Sequence, residues 1–158
     1  MKNNFYKWLE EPEGVTGILF WKITYLWQRK INKALKDVDL THSHFALLSG
    51  VAWLLKQKEP ITQTKLANFT QTNVMVTSKI IRILEGKGFL ERINEGKDSR
   101  AKYVKITQKG IKTLEKALII VEKVNEEFFQ PLGQEKELFN ENLWNILYSN
   151  YDDGGMKK

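Results

Sequence analysis

Cysteine is absent from this 158-residue chain, which removes disulfides, thiolate metal sites and thiol-based redox chemistry together. Histidine is almost absent too, with His42 and His44 the only two. Spaced i, i+2 at a helix start they do not share a face, so two-histidine chelation within one chain is poor. A metal site borrowing Asp37 or Asp39 stays open as the alternative to a capping-turn histidine and a partly buried one. No apolar run approaches the roughly 18 residues needed to span a bilayer. The first fourteen residues carry acids and a proline where a secretory signal would hold an apolar core, so a cytoplasmic protein is expected. No phosphate-binding glycine loop and no nucleophile, base and orienter appear at readable spacing. An enzyme is therefore the weaker class, and no cofactor is implied.

What is present is positive charge, and it is unevenly placed. The net charge is +6. Residues 41–112 hold thirteen basic and five acidic side chains, a net of +8, while residues 1–40 carry +2 and residues 113–158 carry −4. A strongly basic middle between a weakly basic and an acidic end suits a polyanion-facing centre, although a solvated lysine surface would read the same way. At 42% apolar residues the chain can bury a core, and its length suits a single domain, 1–158.

Apolar spacing predicts a helix over 14–36, with Phe20, Ile23, Trp27, Ile31, Ala34 and Val38 recurring at helical intervals. Thr41 caps a second helix running to about Gln57, which Lys58-Glu59-Pro60 ends. Thr62 caps a short helix, TQTKLANF, and a turn at Thr70-Gln71 leads to another helix from Thr72 to the glycine-rich stop Gly86-Lys87-Gly88. Two short strands follow, FLERI and KYVKIT, joined by the polar turn NEGKDSRA. Thr107 then caps a long helix, Pro131-Leu132-Gly133 interrupts it, and a last helix spans about 134–148. The predicted fold is mainly α with a small β-wing: a winged helix-turn-helix over 41–112, flanked by helices over 14–36 and 113–149.

Those flanking helices are apolar over too wide an arc for one neighbour in a small basic domain. A monomeric bundle core is one resolution. Interlocking with a second copy into a homodimer is the preferred one.

Recognition of double-stranded DNA needs contacts to phosphates and to base edges, and the middle segment offers both. Of the helix from Thr72, Val74, Thr77, Ile81 and Leu84 are expected to face inward. Asn73, Met75, Val76, Lys79 and Arg82 are left toward a major groove, where Asn reads adenine edges, Lys reads guanine or phosphate, and Val or Met packs on thymine methyls. Thr62, Gln63 and Lys65 suit phosphate clamping. At the ribbon tip, Lys97, Arg100 and Lys102 can reach a minor groove, with Asp98 pairing to Arg100.

The string Asp98-x-Arg100-x-x-x-Val104-x-Ile106-Thr107-x-x-Gly110 resembles the wing signature of the MarR family of bacterial transcription regulators. Leu40-Thr41, Leu66-Ala67 and the run from Leu84 to Phe89 extend the likeness over roughly residues 14–149. The resemblance implies an obligate homodimer with two winged units on successive major grooves of a pseudo-palindromic operator. It also implies a repressor released by a small-molecule effector, with Arg100 as wing-tip arginine and Asp98 as its orienting acid. Two positions depart from the family pattern: Met75 and Val76 stand where small hydroxyl residues are frequent, and Ala101-Lys102 follows the arginine without a second arginine. A small aromatic effector could meet Trp21, Trp27, Phe45 and Trp53, although aromatics at this spacing also serve as core. The competing class is a winged-helix module that contacts proteins without binding DNA.

Overall fold

The structure, a computed structural model, describes residues 12–57, 61–93 and 103–150. Helix α1 (Pro12–Ala34) runs into a 3-10 turn (Leu35–Val38), which ends on Asp39 in the left-handed region at φ 55°. Helix α2 (His42–Leu55) begins at a reciprocal cap: Thr41 Oγ1 accepts from His44 N, and His44 Nδ1 accepts from Thr41 N, each at 3.2 Å. The second of these bonds requires a neutral imidazole with its proton on Nε2. Helix α3 (Gln63–Phe69) is capped by Thr62 and helix α4 (Val74–Gly86) by Asn73. Strands β1 (Leu90–Ile93) and β2 (Tyr103–Ile106) pair antiparallel, with Leu90 opposite Ile106 and Ile93 opposite Tyr103. Helix α5 (Gln108–Phe129) is capped by Thr107, and a 3-10 segment (Gln130–Glu135) kinks at Gly133 into helix α6 (Lys136–Ser149).

Five of the expected element starts and stops stand where the capping residues put them: Thr41, Thr62, the glycine stop after α4, Thr107 and the Pro131 break. One start differs. The reader helix was expected from Thr72, yet it begins at Val74. Gln71 turns the chain at φ 50° and Thr72 N donates back to Ala67 O at 2.9 Å. Thr72 and Asn73 are thereby held outside the helix. Val74, expected to face inward, occupies the first helical position and is 45% exposed, while Thr77, Ile81 and Leu84 are buried as expected.

One core joins the elements. Ile31 near the end of α1 and Leu35 of the 3-10 turn meet Leu47, Leu48 and Val51 of α2, Leu66 of α3, Ile81 and Leu84 of α4, and Leu114 and Ala117 of α5. Val104 and Ile106 close it from the ribbon, as alternate residues of a half-buried strand should. The ribbon is anchored on its other edge as well, where Val104 N donates to Ile61 O at 2.9 Å just ahead of α3.

The tightest packing lies where α5 crosses the start of the ribbon. A Cβ on Gly110 would stand 2.1 Å from Phe89 O and 2.8 Å from Ile106 Cγ1. The neighbours there are backbone and core, which cannot swing aside. Gly110→Ala is expected to destabilise the fold by about 3 kcal/mol through overpacking. Gly86→Ala, with nothing within 4 Å of the added carbon, should be neutral or stabilise by up to about 1 kcal/mol through helix propensity. Urea unfolding of the two variants measures both.

Candidate nucleic-acid interface

The interface is built from the turn between α3 and α4, the outer face of α4 and the ribbon beside them. The turn is held by a line of hydroxyls. Thr70 Oγ1 lies 2.8 Å from Leu66 O, Thr72 Oγ1 lies 2.7 Å from Thr70 Oγ1, and Thr77 Oγ1 lies 2.8 Å from Thr72 Oγ1. A carbonyl only accepts, so Thr70 donates its single proton to Leu66 O. Thr72 must then donate to Thr70, and Thr77 to Thr72. The line has one possible direction, and it fixes α4 against α3. Thr77, 0% exposed, is the buried polar side chain among the described residues.

On α4 the helical repeat of 100° per residue puts Met75, Lys79 and Arg82 in one stripe, flanked by Val76 and Ile83. All five are exposed. Thr77, Ile80, Ile81 and Leu84 form the opposite, buried face. Asn73, expected among the base readers, is the N-cap, and its Oδ1 accepts from Met75 N at 2.7 Å. Thr72, which the sequence places among the DNA-contacting residues at the start of this helix, has its hydroxyl engaged on both sides in the threonine line. Thr62 Oγ1 accepts from Lys65 N at 3.2 Å. Gln63 and Lys65 sit half-buried beside it at the start of α3. Lys97, Asp98, Arg100 and Lys102 lie outside the described residues.

Sequence reasoning named Thr107 and Gly110 as the start of the long helix but missed the contacts that lock this unit to the rest. Thr107 Oγ1 donates to Gly88 O at 2.7 Å and accepts from Gly110 N at 3.0 Å. Lys109 Nζ donates to Lys87 O, and Lys87 Nζ to Asp39 O, both at 2.7 Å. Lys87 also pairs with the Asp39 carboxylate, and its hydrogen bond holds that carboxyl below its ordinary pKa. Arg92 Nε on β1 stands 3.0 Å from Glu85 Oε2 on α4, but Nε is not aligned for a hydrogen bond, so the link is ionic contact alone. No local spacing signals the lysine contacts, which join residues 22 and 48 apart.

The aromatic residues named as effector contacts stand in different settings. Trp27 Nε1 donates to Asn125 Oδ1 at 2.8 Å, and its ring meets His42 edge-on at 4.9 Å. Phe45 packs partly buried against the core. Trp53, two turns further along α2 and so about 12 Å from Phe45 along the axis, stacks near Phe69 at 5.0 Å. Trp21 is 67% exposed on α1. Burial lowers the pKa of His42, and burial followed by the Lys87 charge lowers that of His44, with Asp39 pulling the other way. Among the described residues no group of three His, Asp or Glu side chains is placed to hold a metal. None of their helices is long and apolar enough to cross a membrane.

Comparison with known proteins gives the arrangement its family. The model of the MarR family matches residues 40–102. An uncharacterized HTH-type transcriptional regulator of Bacillus subtilis, YdcH, is 41% identical over 136 residues, 86% of this chain and 92% of that protein. The chain belongs to the MarR family. Among other relatives, the transcriptional regulator HosA of Escherichia coli O111:H- is 30% identical over 77% of this chain and 83% of its own. Of solved structures, the S. aureus MepR–DNA complex superposes with a TM-score of 0.73 at 25% identity, covering 89% of this chain and all of that one. This MarR-family chain is thus a transcriptional regulator with a winged-helix fold.

The hydroxyl line makes a direct expectation. Thr77→Val keeps the shape but leaves Thr72 without its donor, costing about 1–2 kcal/mol. Thermal unfolding would read this as a lower midpoint, and an unchanged midpoint would mean the line carries no stability.

Proposed function

We propose that the chain is a homodimeric, sequence-specific binder of double-stranded DNA, a repressor that occupies a pseudo-palindromic operator and is released by a small effector. One observation carries the DNA part: Met75, Lys79 and Arg82 form a single exposed stripe on the second helix of a helix-turn-helix, inside the +8 segment. A convex helix of this size fits a major groove, and cations along it meet phosphates. The S. aureus relative crystallised as a DNA complex supports the same reading. Thr62, Gln63 and Lys65 lie at the N-terminus of α3, where backbone N–H groups and the helix dipole favour phosphate. The ribbon strands lead to Lys97, Asp98, Arg100 and Lys102, the proposed minor-groove element.

The dimer part rests on uncovered apolar surface. Leu19, Phe20 and Trp21 are consecutive and all at least half exposed. Three consecutive helical side chains point 100° apart, so the N-terminal half of α1 stands clear of its own core. Leu138, Trp144 and Ile146 on α6 are exposed likewise. A second copy of residues 14–36 and 113–149 covers both and holds two readers on successive grooves. Such a dimer excludes other proteins from the DNA it covers, which is repression. The effector part rests on Trp27 and Phe45, which flank the α1–α2 corner where the dimer helices meet the winged unit. Trp21 and Trp53 would join them only across the two protomers.

Binding to a selected operator duplex, followed by fluorescence anisotropy, should fall by orders of magnitude between about 50 and 200 mM salt. Lys79→Ala or Arg82→Ala should each lower the slope of log K against log salt by about 1 where the side chain neutralises a phosphate, and Arg100→Ala should weaken binding by about 1–3 kcal/mol with the dimer intact. A salt-independent affinity would instead favour a protein-contact module. Phe20→Asp should convert the dimer to a monomer of 18.5 kDa by sedimentation. It should also weaken operator binding at least tenfold, because the two readers no longer act as one ligand.

A further inference from the structure

The leading turn of α4 presents little hydrogen-bonding surface. Thr77 donates to Thr72 and Thr72 to Thr70 within the hydroxyl line, and Asn73 Oδ1 is engaged by Met75 N, which leaves the Asn73 Nδ2 group as the remaining donor of that cap. What projects instead is apolar: Met75 is 80% exposed, Val76 49% and Val74 45%. Exposed aliphatic side chains on a small folded unit need a partner or they favour aggregation. Here the partner is constrained by charge. Lys79 and Arg82 continue the same stripe, and acids are missing from the helix until Glu85. An apolar leading edge on a cationic helix is complementary to a surface that is anionic at its rims and apolar at its floor. The major groove of duplex DNA is such a surface wherever thymine places its C5-methyl group. That methyl is the one base-edge feature there that an aliphatic side chain recognises without a hydrogen bond.

Resting on the DNA-binding reading above, we propose that Met75 and Val76 determine operator specificity by packing against thymine methyl groups in each half-site. Val74 borders the same contact. The hydroxyl line serves this directly, because each hydroxyl it holds is withdrawn from competition for polar base edges. Lys79 and Arg82, one and two turns later, supply attachment to the adjacent phosphates and carry little of the choice of base. The preferred half-site is therefore rich in thymine at the positions facing the start of α4. A 5-methylcytosine, which carries a methyl at the same place in the groove, substitutes in part for thymine there.

The test uses the full-length protein and a duplex selected from a random pool. Each thymine is replaced in turn by deoxyuridine, which deletes only the methyl. Wild-type protein should lose about fourfold in affinity at a contacted position, the value of one buried methyl, and about fifteenfold when the symmetry-related position changes too. The Met75→Ala, Val76→Ala double variant, altered only at exposed positions, should bind more weakly and be indifferent to those same replacements. If wild-type binding is tight and salt-dependent yet insensitive to every thymine-to-uracil change, the methyl assignment is overturned and the DNA reading stands. If the double variant keeps the full uracil sensitivity, the methyls meet other residues and the assignment is likewise overturned. Absence of binding to any duplex at low salt would overturn the DNA reading itself.

Discussion

The close approach of α5 to the carbonyl of Phe89 is the constraint on which the rest of the architecture depends. It exists because Gly110 has no side chain, and three hydrogen bonds fasten it. Thr107 Oγ1 ties the start of α5 to Gly88, Lys109 ties it to Lys87, and Lys87 reaches across to Asp39 at the α1–α2 corner. The end of the reader helix, the start of the ribbon and the first turn of a long helix are thus joined at one point. α5 then carries that fixed geometry to the terminal helices. In the proposed dimer, the separation of the two readers is set by this junction, since a tilt of α4 cannot occur without moving α5. In that proposed dimer, rigid transmission of this kind would let a change near the terminal helices alter the fit of both readers.

The threonine line plays the complementary part at the other end of α4. A buried hydroxyl without a partner costs about 1–3 kcal/mol, so Thr77 in the core demands an acceptor. Thr72 supplies it and must itself be satisfied, which draws in Thr70 and finally Leu66 O. The outcome is a turn whose angle is set by four partners in sequence. It also divides labour on the helix: polar groups at its start hold the turn, and what faces outward there is left to aliphatic contact. The cationic part of the stripe begins one turn later, at Lys79.

Much of this was legible in the sequence because capping is local chemistry. Thr41, Thr62 and Thr107 announce helix starts by their own hydroxyls, and Pro131 and the glycines after α4 announce stops. The signature from Asp98 to Gly110 located the ribbon and the family. The start of α4 was misplaced because it depends on contacts that no local window contains. Thr72 is drawn out of the helix by Ala67 O and by Thr77, five residues on, and Gln71 takes a left-handed turn that its residue type does not advertise. Val74 was misassigned for the same reason: its helical phase suits the core, but the first turn overhangs the core's edge. Asn73 looked like a base reader and is a cap, a role its type fits equally well. The Lys109–Lys87–Asp39 chain was invisible for a different reason, since it joins residues 22 and 48 apart through flexible side chains that carry no periodic signal.

The chain exposes aliphatic and aromatic surface in two places, and the sign of the neighbouring charge separates their uses. α5 and α6 belong to the segment of net −4, with Glu122, Glu126, Glu137 and Glu141 exposed along them. An apolar face bordered by carboxylates is repelled from a phosphate backbone, so the exposed apolar surface of α5 and α6 suits a protein partner rather than DNA. The apolar start of α4 is bordered by ammonium and guanidinium groups, and no equivalent repulsion keeps it from DNA. A second copy placed on α4 would instead bring two cationic stripes together, at a cost that rises as they approach. In the proposed dimer the acidic C-terminal helices would meet the weakly basic α1, residues 1–40 carrying +2, so that charge does not oppose their closure. The proposed self-association at the ends and polyanion contact at the middle are thus both compatible with one distribution of charge.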